Sequence, residues 1–203
     1  MTELHAQNTL MLEDTVPNIT MDIYDPSEDA IITHKIQDFK GKRLILFFYP
    51  ADFTFVCPTE LKDMGKAYPT IQQANAEMLV VSTDTTFSHK RWVETESLLK
   101  DFNIKMVSDR TGHMSKLFGS YNKESGNSER GTFIISPDGV IKSIEIVTEP
   151  IGRSSNELVR KVNALNYVAT HPGHACPASR NIGGQVLQPG IKIAGKVGEE
   201  LGE

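Results

Sequence analysis

The chain has 203 residues, of which 39% are hydrophobic and 23% charged, with a formal net charge of -5 and a pI near 5.7. This composition suits a soluble globular protein and excludes a disordered or fibrous chain. The acidic balance leaves no electrostatic footprint for nucleic acid or an anionic membrane surface, and the short basic cluster Lys40, Lys42 and Arg43 reads as a solvated turn.

Met1 to Val16 has an apolar patch at Leu10, Met11 and Leu12 but neither a basic start nor a long apolar run. It does not read as a secretory leader, and a cytoplasmic location is expected. Leu44–Tyr49 is a short continuous apolar run ending at Pro50, which predicts a strand buried on both faces. Thr59 to Asn75 carries Leu61, Met64, Ala67, Tyr68 and Ile71 at helical spacing, with Pro69 expected to kink or divide the helix. Met78 to Thr83 reads as a second buried strand, completing a βαβ unit.

Thr86 to Lys100 predicts a helix whose inner face draws on Phe87, Trp92 or Val93, and Leu98 or Leu99. Met114 to Phe118 predicts a short helix closed by Gly119. Thr132–Ser136, the turn Pro137-Asp138-Gly139 and Val140–Val147 read as a β-hairpin. Ser154 with Glu157 fits a capping box that opens a helix with Leu158, Val162, Leu165 and Val168 on one face. From His171 to Glu203 the chain is rich in Gly and Pro with little periodicity. The expected organisation is one α/β domain over residues 1–170 and an extended arm over 171–203.

Two cysteines 119 positions apart are too few for the disulfide framework of a small secreted scaffold. Taken alone, each could be a small buried hydrophobe. Cys57, however, lies where the first buried strand gives way to a helix. Unpaired N–H groups and a partial positive charge at a helix start favour thiolate over thiol. Pro58 suits the first turn, where its missing N–H costs nothing. Thr54, three residues earlier, can bring a hydroxyl to an oxygen species bound at the sulfur, and Pro50 can shield the site from water.

The segment Pro50-Ala51-Asp52-Phe53-Thr54-Phe55-Val56-Cys57 resembles the Pro-x-x-x-Thr-x-x-Cys signature of the peroxiredoxins. Further similar segments follow in family order: Val81-Ser82-Thr83-Asp84, Ser88-His89-Lys90-Arg91-Trp92, Arg130-Gly131-Thr132-Phe133 and Ala175-Cys176-Pro177-Ala178. The bacterial alkyl hydroperoxide reductase C subunits are the subgroup it resembles most. The resemblance implies a thioredoxin-like fold with a central mixed sheet flanked by helices, and reduction of hydrogen peroxide and organic hydroperoxides through a sulfenic acid at Cys57. It implies that Arg130 faces Cys57, that Arg153 orients the groups around it, and that Glu60 anchors both arginines. His89 and Trp92 frame the pocket region by resemblance, but packing explains them equally and they are left out of the catalytic set.

The same resemblance makes Cys176 the resolving thiol, forming a disulfide with Cys57 of a partner subunit. It therefore implies a homodimer and assembly into decamers. No nucleotide- or flavin-binding glycine motif occurs, so no cofactor is expected. Electrons are expected from a flavoprotein disulfide reductase or a thioredoxin- or glutaredoxin-type protein, with no nucleic acid or membrane partner. His171, His174 and Cys176 offer a rival reading as zinc ligands, though they lack a second ligand pair. A holdase or ring-forming structural role is a third reading. A thioredoxin-type oxidoreductase is disfavoured because Glu60 stands where Cys-x-x-Cys needs its second cysteine.

The Gly-Gly-Leu-Gly loop and C-terminal Tyr-Phe pair of peroxiredoxins that excess peroxide inactivates are both missing. Glu96 to Asp101 occupies the loop region, and Arg180 to Glu203 contains no Tyr or Phe. Resistance of Cys57 to sulfinic oxidation is the expectation.

Overall fold

The run Arg43–Phe48, buried at every position, forms the central strand of a sheet that a computed structural model describes over residues 9–202. Such a run has no solvated face, so it must be covered by strands on both edges and by packing on both faces. The expectation that Met1 to Val16 is not a secretory leader falls partly on residues 1–8, outside the described residues. Seven strands occur in the order β2-β1-β5-β4-β3-β6-β7. Their ranges are β1 Thr20–Asp25, β2 Ala30–Lys35, β3 Arg43–Phe48, β4 Ala76–Ser82, β5 Lys105–Ser108, β6 Arg130–Ile135 and β7 Ile141–Val147. β3, β4 and β5 run parallel to their neighbours among themselves, while β1–β2, β1–β5, β3–β6 and β6–β7 are antiparallel. The sheet is mixed, as expected.

The helices are α1 Cys57–Gln73, α2 Thr86–Thr95, α3 His113–Leu117, α4 Ser155–Thr170 and α5 Val197–Leu201. The βαβ unit is β3, α1 and β4, with Phe47 opposite Val80 in parallel register. The expected β6–β7 hairpin and the short α3 are present, and Gly119 adopts the left-handed φ of 71° that its place after α3 favours. Two compact units divide between Ser155 and Asn156. The second contains α4 beyond its first residue, an isolated bridge between Ala175 and Leu187, and α5, so regular structure persists past residue 170. No helix among the described residues is long and apolar enough to cross a membrane.

Several local expectations need correction. Pro69 does not divide α1, which continues to Gln73. The buried positions Leu61, Met64, Tyr68 and Ile71 hold the helix on its apolar face across the one missing N–H. The helix from Thr86 stops at Thr95, and Ser97–Leu99 forms a separate turn of 3-10 helix. Glu96, extended between them, ends one helix and caps the next by accepting from Leu98 N–H. Phe87 is 73% exposed rather than inward, because Trp92 and His89 take the buried face of α2. Arg43 is buried at the start of β3, not in a solvated turn.

Strands β1, β2 and β5 had no counterpart in the sequence reading. The hairpin of β1 and β2 is tied at its turn by Asp25, whose carboxylate accepts from Ser27 N–H at 3.0 Å and Ser27 Oγ at 2.7 Å and pairs with Lys105 at 2.9 Å. Burial alone would raise the Asp25 carboxyl; the Ser27 and Lys105 hydrogen bonds outweigh it and hold it below the ordinary value. A depressed folded value stabilises the fold above the unfolded pKa of about 4, and that contribution fades as pH falls through the folded value. Thermal melts should therefore show Asp25→Asn destabilised by about 1–3 kcal/mol at pH 7, with the gap from wild type closing as the pH drops below about 4.

Candidate active site

α1 starts at Cys57 itself, two residues earlier than its apolar pattern suggests. Val56 precedes it in a right-handed conformation and gives no side-chain cap, while its carbonyl accepts from Thr59 and Glu60 N–H at 3.0 and 3.2 Å. Pro58 occupies the first turn, as its missing N–H favours. The thiol is wholly buried. Residues three apart on a helix share a face, so Glu60 lies on the same side as Cys57, one turn further in.

Arg130, the first residue of β6, reaches this face. Its Nη1 donates to Cys57 Sγ at 3.4 Å and to Glu60 Oε2 at 2.5 Å, and its Nε donates to the Glu149 carbonyl at 2.5 Å. Arg153, just beyond β7, approaches Glu60 from the other side. Its backbone N–H and Nε donate to Glu60 Oε1 at 2.7 and 2.9 Å, and its Nη2 to Glu60 Oε2 at 3.2 Å. The remaining Arg153 donors meet the Gly131 carbonyl at 2.8 Å, Thr132 Oγ1 at 3.0 Å and the Phe48 carbonyl at 2.9 Å. Its guanidinium also covers the Phe47 ring at 3.4 Å from the centroid.

One carboxylate thus serves two buried cations. Burial works against the charge of Arg130, but the Cys57 sulfur and then Glu60 raise it above the usual guanidinium value. Arg153 is lowered, chiefly by burial and in part by the neighbouring Arg130, with Glu60 opposing. A fixed positive charge beside a sulfur favours its anionic, nucleophilic form. The pocket can therefore hold a reactive thiol and stabilise charge that develops on an oxygen attacked by it.

Pro50 is buried directly after Tyr49, at the end of the central strand. Thr54 is half-buried, and its hydroxyl donates to the Ala51 carbonyl at 2.9 Å, which leaves its oxygen lone pairs to accept. Pro50, Thr54, Cys57, Glu60, Arg130 and Arg153 all belong to the first compact unit. Cys176 belongs to the second, where it is half-buried with Sγ 3.9 Å from the Ala164 carbonyl. Nearby, His171 stacks on Tyr167 with ring centroids 4.0 Å apart, and Tyr167 Oη meets His174 Nδ1 at 2.9 Å. No three His, Cys, Asp or Glu side chains among the described residues are grouped to hold a metal ion.

The groups that complete the arginine shell were not legible in the sequence: the Glu149, Gly131 and Phe48 carbonyls, Thr132 Oγ1 and the Phe47 ring. Carbonyl acceptors carry no side-chain signature, so only the Thr132 hydroxyl and the Phe47 ring offered any signal. His89, set aside as packing, is fully buried and pairs with Asp52 across 37 positions of sequence.

Glu60→Gln keeps the side-chain shape but removes the carboxylate charge that the two buried guanidiniums share. It should cost about 3 kcal/mol or more in denaturant unfolding, and slow oxidation of Cys57 by hydrogen peroxide at least about tenfold in stopped-flow measurements.

The sequence matches the AhpC/TSA family over residues 12–144. The alkyl hydroperoxide reductase C of Staphylococcus epidermidis is 40% identical over 189 residues, covering 93% of this chain and all of that protein. The crystal structure of Enterococcus faecalis AhpC superposes with a TM-score of 0.78 at 38% identity, covering 82% of this chain and 98% of that one. Reduced 2-Cys peroxiredoxin from Plasmodium vivax gives a TM-score of 0.84 at 25% identity, over 89% and 94% of the two chains. With a mixed sheet of thioredoxin-like type and a buried thiol against an arginine, the chain belongs to the AhpC/TSA family and is a peroxiredoxin, an enzyme that reduces peroxides with a cysteine thiol.

Proposed function

We propose that Cys57 is the peroxide-attacking thiol and that Cys176 of a second copy resolves the product. The observation that carries the first half is the Arg130 guanidinium 3.4 Å from Cys57 Sγ, itself fixed by Glu60. The Cys57 thiolate attacks the terminal peroxide oxygen, forming an S–O bond as the O–O bond breaks. The departing oxygen takes a proton and leaves as water or an alcohol, and Cys57 becomes a sulfenic acid. Arg130 stabilises the charge developing on the peroxide oxygens, Thr54 accepts the peroxide hydrogen bond, and Pro50 keeps water out. Arg153 acts through Glu60 and orients Arg130.

The Cys176 thiol then attacks the sulfenic sulfur; the S–S bond forms, the S–O bond breaks and water leaves. A dithiol supplied by a flavoprotein disulfide reductase or a thioredoxin-type protein reduces the disulfide. Because Cys57 is wholly buried in the first turn of α1, that turn must unfold locally before a second sulfur can reach it. The segment from His171 onward serves as the arm that carries Cys176.

The working unit in this reading is a homodimer assembled into decamers, in the cytoplasm. β7 is an edge strand with Ile146 exposed, a template for pairing with a second copy, and Phe53, Phe55 and Phe87 are further exposed apolar groups available to contacts between copies.

Cys57→Ser should abolish peroxide consumption in steady-state assays, whereas Cys176→Ser should complete one oxidation per subunit and then stall. Mixing isotope-labelled Cys57→Ser with unlabelled Cys176→Ser and adding one equivalent of peroxide should give a disulfide joining labelled Cys176 to unlabelled Cys57. Unlabelled Cys57 recovered as the sulfenic acid, with labelled Cys176 still a free thiol and no crosslink between them, would refute resolution between subunits. With the inactivation elements missing, wild-type Cys57 should stay free of sulfinate by mass spectrometry over many turnovers at low peroxide.

A further inference from the structure

Asp52 sits two residues beyond Pro50 in the loop between β3 and α1, and it is buried. It is held through both its side chain and its backbone. Its carboxylate accepts from Tyr49 Oη at 2.7 Å and faces His89 Nδ1 at 3.0 Å, and its N–H donates to Asp84 Oδ2 at 2.9 Å. His89, from α2, turns its other ring nitrogen to the Val107 carbonyl of β5 at 3.3 Å. His89 is thus held at both ring nitrogens, between the Asp52 carboxylate and the Val107 carbonyl. Asp84 accepts also from Ser82 Oγ at 2.8 Å, so the end of β3, helix α2 and the loop after β4 converge on one loop residue.

Beyond Asp52 the chain is held far less. Phe53 takes a left-handed φ of 56°, strained for a residue with an aromatic side chain, and is 57% exposed. Phe55 is 93% exposed. α1 then begins without a side-chain cap. The change from a doubly anchored residue to an uncapped helix start occurs within five positions.

We propose that Asp52, His89 and Tyr49 form a positioning clamp that fixes the near end of the segment Phe53–Cys57, and so sets how often Cys57 occupies its folded site. This rests on Cys57 being the peroxide-attacking thiol. A short segment fixed at one end has fewer unfolded conformations to gain, so the clamp favours the folded, peroxide-reactive site. Loosening it shifts the population toward the unfolded segment, in which Cys57 is poorly placed for peroxide and well placed for disulfide formation. Trp92, the sole tryptophan, stacks on Tyr49 at 5.8 Å and lies 6.3 Å from Phe53, so its emission reports the segment.

His89→Gln and Tyr49→Phe test the clamp. His89→Gln should lower the second-order rate of Cys57 oxidation by hydrogen peroxide about tenfold. At high peroxide it should reduce the ratio of sulfinate to disulfide at Cys57, and it should move Trp92 emission of the reduced protein toward that of the disulfide form. Tyr49→Phe removes only a hydroxyl; it should shift all three readouts the same way by a smaller factor, and it decides the matter alone if His89→Gln does not fold. Wild-type rate, ratio and emission in the folded variant, with only the melting temperature lowered, would overturn the clamp. Cys57→Ser, run alongside, separates the two claims: peroxide turnover surviving in it would instead overturn the underlying reading of Cys57.

Discussion

The carboxylate of Glu60 lies between two buried guanidiniums, and the site exists because of it. Burying either arginine alone would carry a desolvation penalty of several kcal/mol. Sharing one anion lets both stay charged in a dry setting, where a charge acts on a neighbouring sulfur far more strongly than in water. The same contacts are structural. Glu60 belongs to the first turn of α1, Arg130 to the start of β6 and Arg153 to the chain after β7, so one ion triad joins three parts of the chain at the thiol.

That rigidity conflicts with the proposed cycle, in which Cys57 must leave the pocket. The two demands fall on different atoms. Arg130 and Arg153 are anchored by the Glu149, Gly131 and Phe48 carbonyls and by the Phe47 ring, none of which lies in α1, while Glu60, at the far end of the first turn, is held by the two arginines. Val56 gives no cap, Pro58 contributes no N–H, and Phe55 is almost fully exposed, so the residues ahead of Glu60, Cys57 among them, are the cheapest part of the site to unfold. The two arginines keep these anchors while the thiol moves.

The sequence carried the parts of the fold whose signals are local. The apolar runs of β3 and β4 and the periodicity of α1 predicted the central βαβ unit, and the strand-to-helix junction located Cys57. β1, β2 and β5 were not legible, since β2, although its burial alternates, reads Ala-Ile-Ile-Thr-His-Lys with no apolar–polar alternation, and β5 is four residues long. Pro69 and Phe87 misled for one reason: local propensity was overridden by which face of the helix the core covers. Arg43 misled because two neighbouring lysines made it look solvated. Arg130 and Glu60 meet across 70 positions, and only family resemblance brought them together in advance. The resemblance covered Asp52 and His89 separately but did not pair them, since an Asp and a His 37 positions apart carry no spacing rule.

The account stands or falls on Cys57 being the first atom that peroxide oxidises. In Cys176→Ser protein, one equivalent of hydrogen peroxide added with a sulfenic-acid-specific trap, followed by peptide mass spectrometry, reads that step without resolution. The account predicts a trapped adduct on Cys57 in nearly every subunit. Peroxide consumed with Cys57 still a free, unmodified thiol would contradict it.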